Sequence, residues 1–306
     1  MPASWVGASV RARLLGNRRL GTAGATSVAR ARGLDAALEH LARSPYATNL
    51  QPGMSLEAAQ RQVAATALWH VRLMAGWLPP GGSSVLQPLA AWFEIANIDE
   101  RLAYLSGGGH PPPYQLGRMG TAWRAVSAVT TPEAIRDALA SSRWGDPGTS
   151  DPQGMVLALR FRWAAWVGGA VPGAAVWAES AAALLAARLC FTLPRGSLPP
   201  LVESVRGLPA GWGRAGSVPE LSTMLPHRLA WVLDGVHEPS ELWTAEARWW
   251  ARVRRDAIDM VLRSRFDSSV VVGVAALLAH DAWLVRAALT AAARGGAAQG
   301  VFDAVA

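Results

Sequence analysis

Apolar positions recur along this chain at steps of three and four residues, and no two-residue alternation of useful length interrupts them, so the pattern predicts helices throughout. Leu56, Ala59, Val63, Ala67, Val71, Met74 and Leu78 form one such stripe, opened by Ser55 as an N-cap and stopped by Pro79 and Pro80. After PPGGSS a second stripe follows, with Leu86, Leu89, Phe93, Ile98, Leu102 and Leu105 apolar and Glu94, Asn97 and Arg101 on a separate polar face. Gly107, Gly108 and Gly109 end it. Joined by a short Gly and Pro turn, the two helices are expected to form an antiparallel hairpin, with HPPPYQLG as the linker beyond it.

Thr131, Pro132 and Glu133 place an N-cap, a first-turn proline and an acidic residue in the order a helix start favours, and Asp151 with Pro152 repeats the signal. Helices are therefore expected near 132–141, 152–167 and 173–191, before the breaker-rich TLPRGSLPPLVESVRGLPAGWGRAG, which reads as an internal boundary. Ser240 is expected to cap a long helix with Trp250, Val253, Ala257 and Val261 on its apolar side and Arg248, Arg252, Arg255 and Asp259 on its charged side. A last helix is expected over about 269–294, with Gly295 and Gly296 at its C-terminal end.

One short stretch recurs. LARSPY at Leu41–Tyr46 and LASSRW at Leu139–Trp144 each end a short helix and precede a longer pair, and a looser third unit starts near Val218. The expected architecture is all-α, with three quasi-repeated helical modules over 1–110, 111–205 and 206–306.

Composition narrows the function. A chain of 306 residues that is 51% hydrophobic can bury a large core. Its 29 basic residues are all arginines, and the net charge of +7 suits an acidic protein partner, an anionic membrane surface or nucleic acid. Cys190 is the single cysteine, so an intrachain disulfide or thiolate cluster is excluded and a reducing cytoplasm fits. Arg18 and Arg19 are adjacent, but no apolar run follows them, and no signal peptide is expected. The apolar Trp163–Ala178 stretch contains Gly168, Gly169, Pro172 and Gly173, which divides it into two buried helices rather than one membrane span.

No catalytic constellation emerges. His40, His70, His110, His227, His237 and His280 never pair at helical ligand spacing, so no metal site is expected. Neighbouring carboxylates such as Asp99 with Glu100 and Asp256 with Asp259 sit beside arginines that explain them as ion pairs. The glycine-rich turns lack the lysine and preceding strand of a phosphate loop, and no cofactor is expected. Arginine does cluster, at Arg11, Arg13, Arg18 and Arg19 near the N-terminus and at Arg248, Arg252 and Arg255 beside Trp249 and Trp250. These are the candidate partner-binding residues.

Three segments taken in order resemble the C-subunit family of V-type (archaeal-type) ATPases, whose eukaryotic counterpart is the d-subunit of the V-ATPase. ASVRARLLGNRRL followed by GLDAALEHLARSPY is similar to the family's opening. WFEIANIDERLAYLSGG carries an asparagine-isoleucine pair, Asn97 and Ile98, and VVVGVAALLAHDAWLVRAALTAAARGG carries an acidic residue, Asp281, followed by Arg286. The absence of lysine and the frequency of tryptophan depart from the family. The resemblance implies a non-enzymatic central-stalk rotor adaptor of a proton- or sodium-translocating ATPase, with its three modules forming a funnel-like helical array. Such an adaptor sits peripherally on the inner face of the membrane and touches the stalk proteins, the rotor ring and the membrane surface, without nucleic acid. The alternative is an arginine-rich helical regulator that binds nucleic acid.

Overall fold

The computed structural model describes residues 4–192, 208–263, 266–295 and 302. Among them the chain is helical with no strand, as the periodicity predicts. The breaker-rich boundary segment falls outside the described residues over 193–207, as does Gly296; Gly295, at φ +62°, takes the left-handed conformation that ends the last helix.

The chain divides into two compact units, one of residues 1–83 with 250–306 and one of residues 84–249. The division falls inside PPGGSS. The two helices expected to pair as a hairpin therefore belong to different units, and each packs on a helix distant in sequence.

The first unit contains α1 (Ser4–Gly16), α2 (Gly21–Ala29), α3 (Leu34–Leu41), α4 (Leu56–Ala75), the end of α12 (Leu242–Leu262) from Trp250 onward, and α13 (Ser268–Ala293). α13 is its axis and packs against α1, α2, α3 and α4. It is apolar nearly all round, as a helix enclosed by others must be. Both α13 and α9 (Ala175–Thr192) are long and apolar enough to cross a membrane, but most of α13 is buried in this fold. Where α12 crosses α13, a Cβ on Gly273 would stand 2.8 Å from the Ala257 carbonyl oxygen and 2.9 Å from the Met260 Cβ, so glycine is what permits the approach.

The second unit contains α5 (Gln87–Leu105), α6 (Trp123–Ser127), α7 (Pro132–Ala140), α8 (Pro152–Ala170), α9, α10 (Val218–Met224), α11 (His227–Ala230) and the start of α12. α8 lies between α5 and α9. Tryptophans tie these helices by their ring N–H as well as by area: Trp163 Nε1 donates to the Pro88 carbonyl at 2.9 Å, and Trp249 Nε1 to the Trp177 carbonyl at 2.9 Å.

Several helix starts are local. Ser55 Oγ accepts from Ala58 N at 3.2 Å, Thr131 Oγ1 from Ala134 N at 3.2 Å, and Asp151 Oδ2 from Gly154 N at 2.7 Å. The start of α12 departs from expectation: Glu238 and Glu241 cap a short 3₁₀ turn over Pro239–Glu241, and the α-helix follows it.

Candidate functional site

α2 and α6 start without a local cap. Their N-cap positions are Leu20 and Ala122, neither of which has a side chain able to accept a hydrogen bond. In each unit a carboxylate on a distant long helix fills that role.

In the second unit the carboxylate is Glu94 on α5, wholly buried. Its Oε1 accepts from the backbone N–H of Thr121 at 2.7 Å, Ala122 at 2.8 Å and Trp123 at 2.8 Å. Its Oε2 accepts from Thr121 Oγ1 at 2.6 Å and from Trp144 Nε1 at 2.9 Å. The polar face read on this helix is thus an inward one. Asn97, also buried, accepts from Tyr114 N at 2.7 Å and donates to the Tyr114 carbonyl at 2.9 Å, and Arg101 donates to the Val129 carbonyl at 2.6 Å. The PPPY stretch read as a linker is therefore pinned to α5 at Tyr114.

In the first unit the carboxylate is Asp281 on α13, 3% exposed. Oδ1 accepts from Gly21 N at 2.7 Å, and Oδ2 from Leu20 N at 3.1 Å and Tyr46 Oη at 2.8 Å. Burial first, and then the Asp281 carboxylate, hold the Tyr46 hydroxyl well above its ordinary pKa.

Tyr46 and Trp144 close the two recurring stretches, and the turns that present them match. Ser44 Oγ donates to the Leu41 carbonyl at 2.7 Å and accepts from Tyr46 N at 3.1 Å; Ser142 Oγ donates to the Leu139 carbonyl at 2.7 Å and accepts from Trp144 N at 3.1 Å. The sequence repeat is therefore also a repeat of a buried node: long-helix carboxylate, capped short helix, and aromatic donor. A second feature recurs within the second unit. Arg162 on α8 donates to the carbonyls of Trp144 at 2.6 Å and of Asp146, and Arg248 on α12 to the carbonyls of Trp231 at 3.1 Å and of Asp234.

The candidate arginines fall in both units. Arg248 belongs to the second unit and the other six to the first. Arg13 donates to the carbonyls of Val261 at 3.1 Å and Arg263 at 2.9 Å and lies over the Phe266 ring. Arg19 donates to the Gly16 carbonyl at 2.6 Å, and Arg252 pairs with Asp256 at 3.0 Å, one helical turn on. Arg11, Arg18 and Arg255 are exposed. Four of the seven thus serve the fold in part.

Among the described residues no group of three His, Cys, Asp or Glu side chains is placed to hold a metal ion. A crevice lined by Ala164, Gly168, Ala175, Ala178 and Glu179 offers about 50 Å³, room for a water or two. The half-buried Cys190 thiol is pushed up to about 11 by desolvation, which keeps it protonated and unreactive at neutral pH.

His280, 5% exposed, packs beside the stacked rings of Trp250 and Trp283, with centroids at 6.0 and 5.9 Å. Burial, with Arg254 and Arg19 adding to it, pushes its pKa down to about 4 from 6.5. The unfolded chain then takes up this proton first as pH falls, so the contribution of His280 to the stability of the first unit is complete above pH 6.5 and declines towards pH 4. The loss from this group should reach about 3 kcal/mol at the acid end. Thermal unfolding followed at pH 7, 5.5 and 4.5 should show a shallower acid decline in His280→Gln than in the unsubstituted chain; equal slopes would rule out a neutral buried imidazole. Compared with known proteins, the chain matches no protein-family model and no curated sequence.

Proposed function

We propose that the chain is a non-catalytic adaptor of the central stalk in a V-type or archaeal-type ATPase, receiving the foot of the stalk and resting on the membrane rotor ring. The observation that carries this reading is the repeated buried node. A carboxylate on a long helix, a short helix capped from a distance and an aromatic donor occur at Asp281 with Tyr46 and again at Glu94 with Trp144. Two positions that carry the family resemblance, Asp281 and Asn97, hold structural roles in or beside these nodes.

The arginine clamps extend the pattern towards a third module. Arg248 grips the turn after α11 as Arg162 grips the turn after α7, which supports a likeness between modules over 111–205 and 206–306; with 1–110 they make up the proposed funnel-like array. A rotor adaptor transmits torque, and side chains that tie helix starts to distant helices give it the stiffness to do so. The reading places the chain on the cytoplasmic face of the membrane, in contact with the stalk proteins and the ring.

Affinity capture of the tagged chain from its native membranes at low salt tests this, with the recovered proteins identified by mass spectrometry. Proteins of the ATPase stalk and ring are expected. Recovery of nucleic acid in their place, or of neither stalk nor ring in repeated captures of folded protein, would overturn it.

A further inference from the structure

α1 shows one face to the core and a different apolar face to solvent. Ala8, Ser9, Ala12 and Leu15 are buried, and the helix packs on α13 and α4. Val6, Val10 and Leu14, at i, i+4 and i+8, form a continuous row on the other side, 40%, 44% and 62% exposed. Isolated apolar residues on a surface need no explanation, but three in line on a helix of 13 residues are a stripe. Leu262, 75% exposed, lies between the Val261 and Arg263 carbonyls that Arg13 of α1 holds, which brings a fourth large apolar side chain close to the helix.

The charges beside the stripe are of one sign. Arg11 within the helix and Arg18 just past its end are exposed, and Ser4–Gly16 contains no acidic residue. Two copies of such a face would bring arginine against arginine. A surface of lipid phosphates complements it, with apolar side chains entering the headgroup boundary while guanidinium groups meet phosphate. We propose that the outward face of α1 docks on the surface of an anionic lipid bilayer through Val6, Val10 and Leu14, with Arg11 and Arg18 on the lipid phosphates. The inference deepens the ATPase reading by naming the face that meets the membrane surface, and its test requires neither stalk nor ring.

Co-sedimentation of the full chain with vesicles of phosphatidylglycerol and phosphatidylcholine in equal parts tests it, against vesicles of phosphatidylcholine alone. Binding should need the anionic lipid and weaken as salt is raised. The paired substitution Val10→Ser with Leu14→Ser should weaken it about tenfold, and Arg11→Gln with Arg18→Gln by a similar factor. All four positions are exposed, so the melting temperatures of both variants should match that of the parent chain, which separates loss of docking from loss of fold. Absence of binding to the anionic vesicles, binding that neither variant weakens, or a concentration-dependent dimer that Leu14→Ser dissolves would each overturn the proposal. Because the vesicles contain no protein, a negative result here leaves the capture of stalk and ring proteins as a separate question.

Discussion

Replacing Glu94 by alanine is expected to cost the second unit on the order of 5 kcal/mol, a large part of the stability a domain has. The size follows from what is left behind. Three backbone N–H groups at the start of α6 and the ring N–H of Trp144 lose their acceptor inside the protein, where water does not replace it freely. α6 has five residues and Ala122 at its N-cap, so it has no local means of satisfying them. Denaturant unfolding monitored by circular dichroism should show the midpoint of the second unit falling with the slope unchanged. A shift worth less than about 2 kcal/mol would mean that the node is not the anchor its geometry makes it.

The conservative variant separates the two carboxylate oxygens. In Glu94→Gln the amide oxygen can take the place of Oε1 beneath the three backbone donors, which puts the NH₂ against Trp144 Nε1, donor to donor. Removing that ring N–H with Trp144→Phe should therefore cost more in the unsubstituted chain than in the Glu94→Gln background. The double-mutant cycle then yields a coupling of about 1 kcal/mol. Independent effects would mean that the indole contributes through packing alone.

The same residues show why part of this fold is legible in sequence and part is not. α4, α7 and α8 carry their caps beside them, at Ser55, Thr131 and Asp151, and their apolar stripes run on without a break. α2 and α6 offer no such signal, because the groups that cap them lie on α13 and α5, far along the chain. Glu94, Asn97 and Arg101 look like a solvated face by residue type, and only the positions around them hint otherwise: Ala90, Ala91, Ile95 and Ile98 are buried beside them. The division of the expected hairpin at PPGGSS between two units has a related reason. A short turn gives only proximity in the chain, whereas the partners that bury the apolar faces of α4 and α5, α13 and α8, lie far along the sequence. For the arginines, the i, i+4 spacing of Arg252 and Asp256 is visible in the sequence and matches the pair they form, whereas the carbonyls taken by Arg13 and Arg248 depend on turns that only the folded chain brings near.

Asp281→Ala is the second substitution expected to be severe, with a loss of about 3 to 4 kcal/mol in the first unit. It should fall short of Glu94→Ala because Asp281 receives three hydrogen bonds, from Leu20 N, Gly21 N and Tyr46 Oη, where Glu94 receives five. Tyr46 supplies an independent readout. Its hydroxyl stays protonated in the fold beyond the pH at which it ionises in the unfolded chain, so stability is complete below about pH 10 and falls above it. Tyr46→Phe should remove that alkaline decline, and an unchanged decline would assign it to other groups. The nodes share no partner and belong to different compact units, so Glu94→Ala and Asp281→Ala should add in the double variant within a few tenths of a kcal/mol. A cost clearly above that sum would mean that the two units stabilise one another, as a rigid torque-bearing adaptor requires, and would tie the repeated node to the proposed mechanical role.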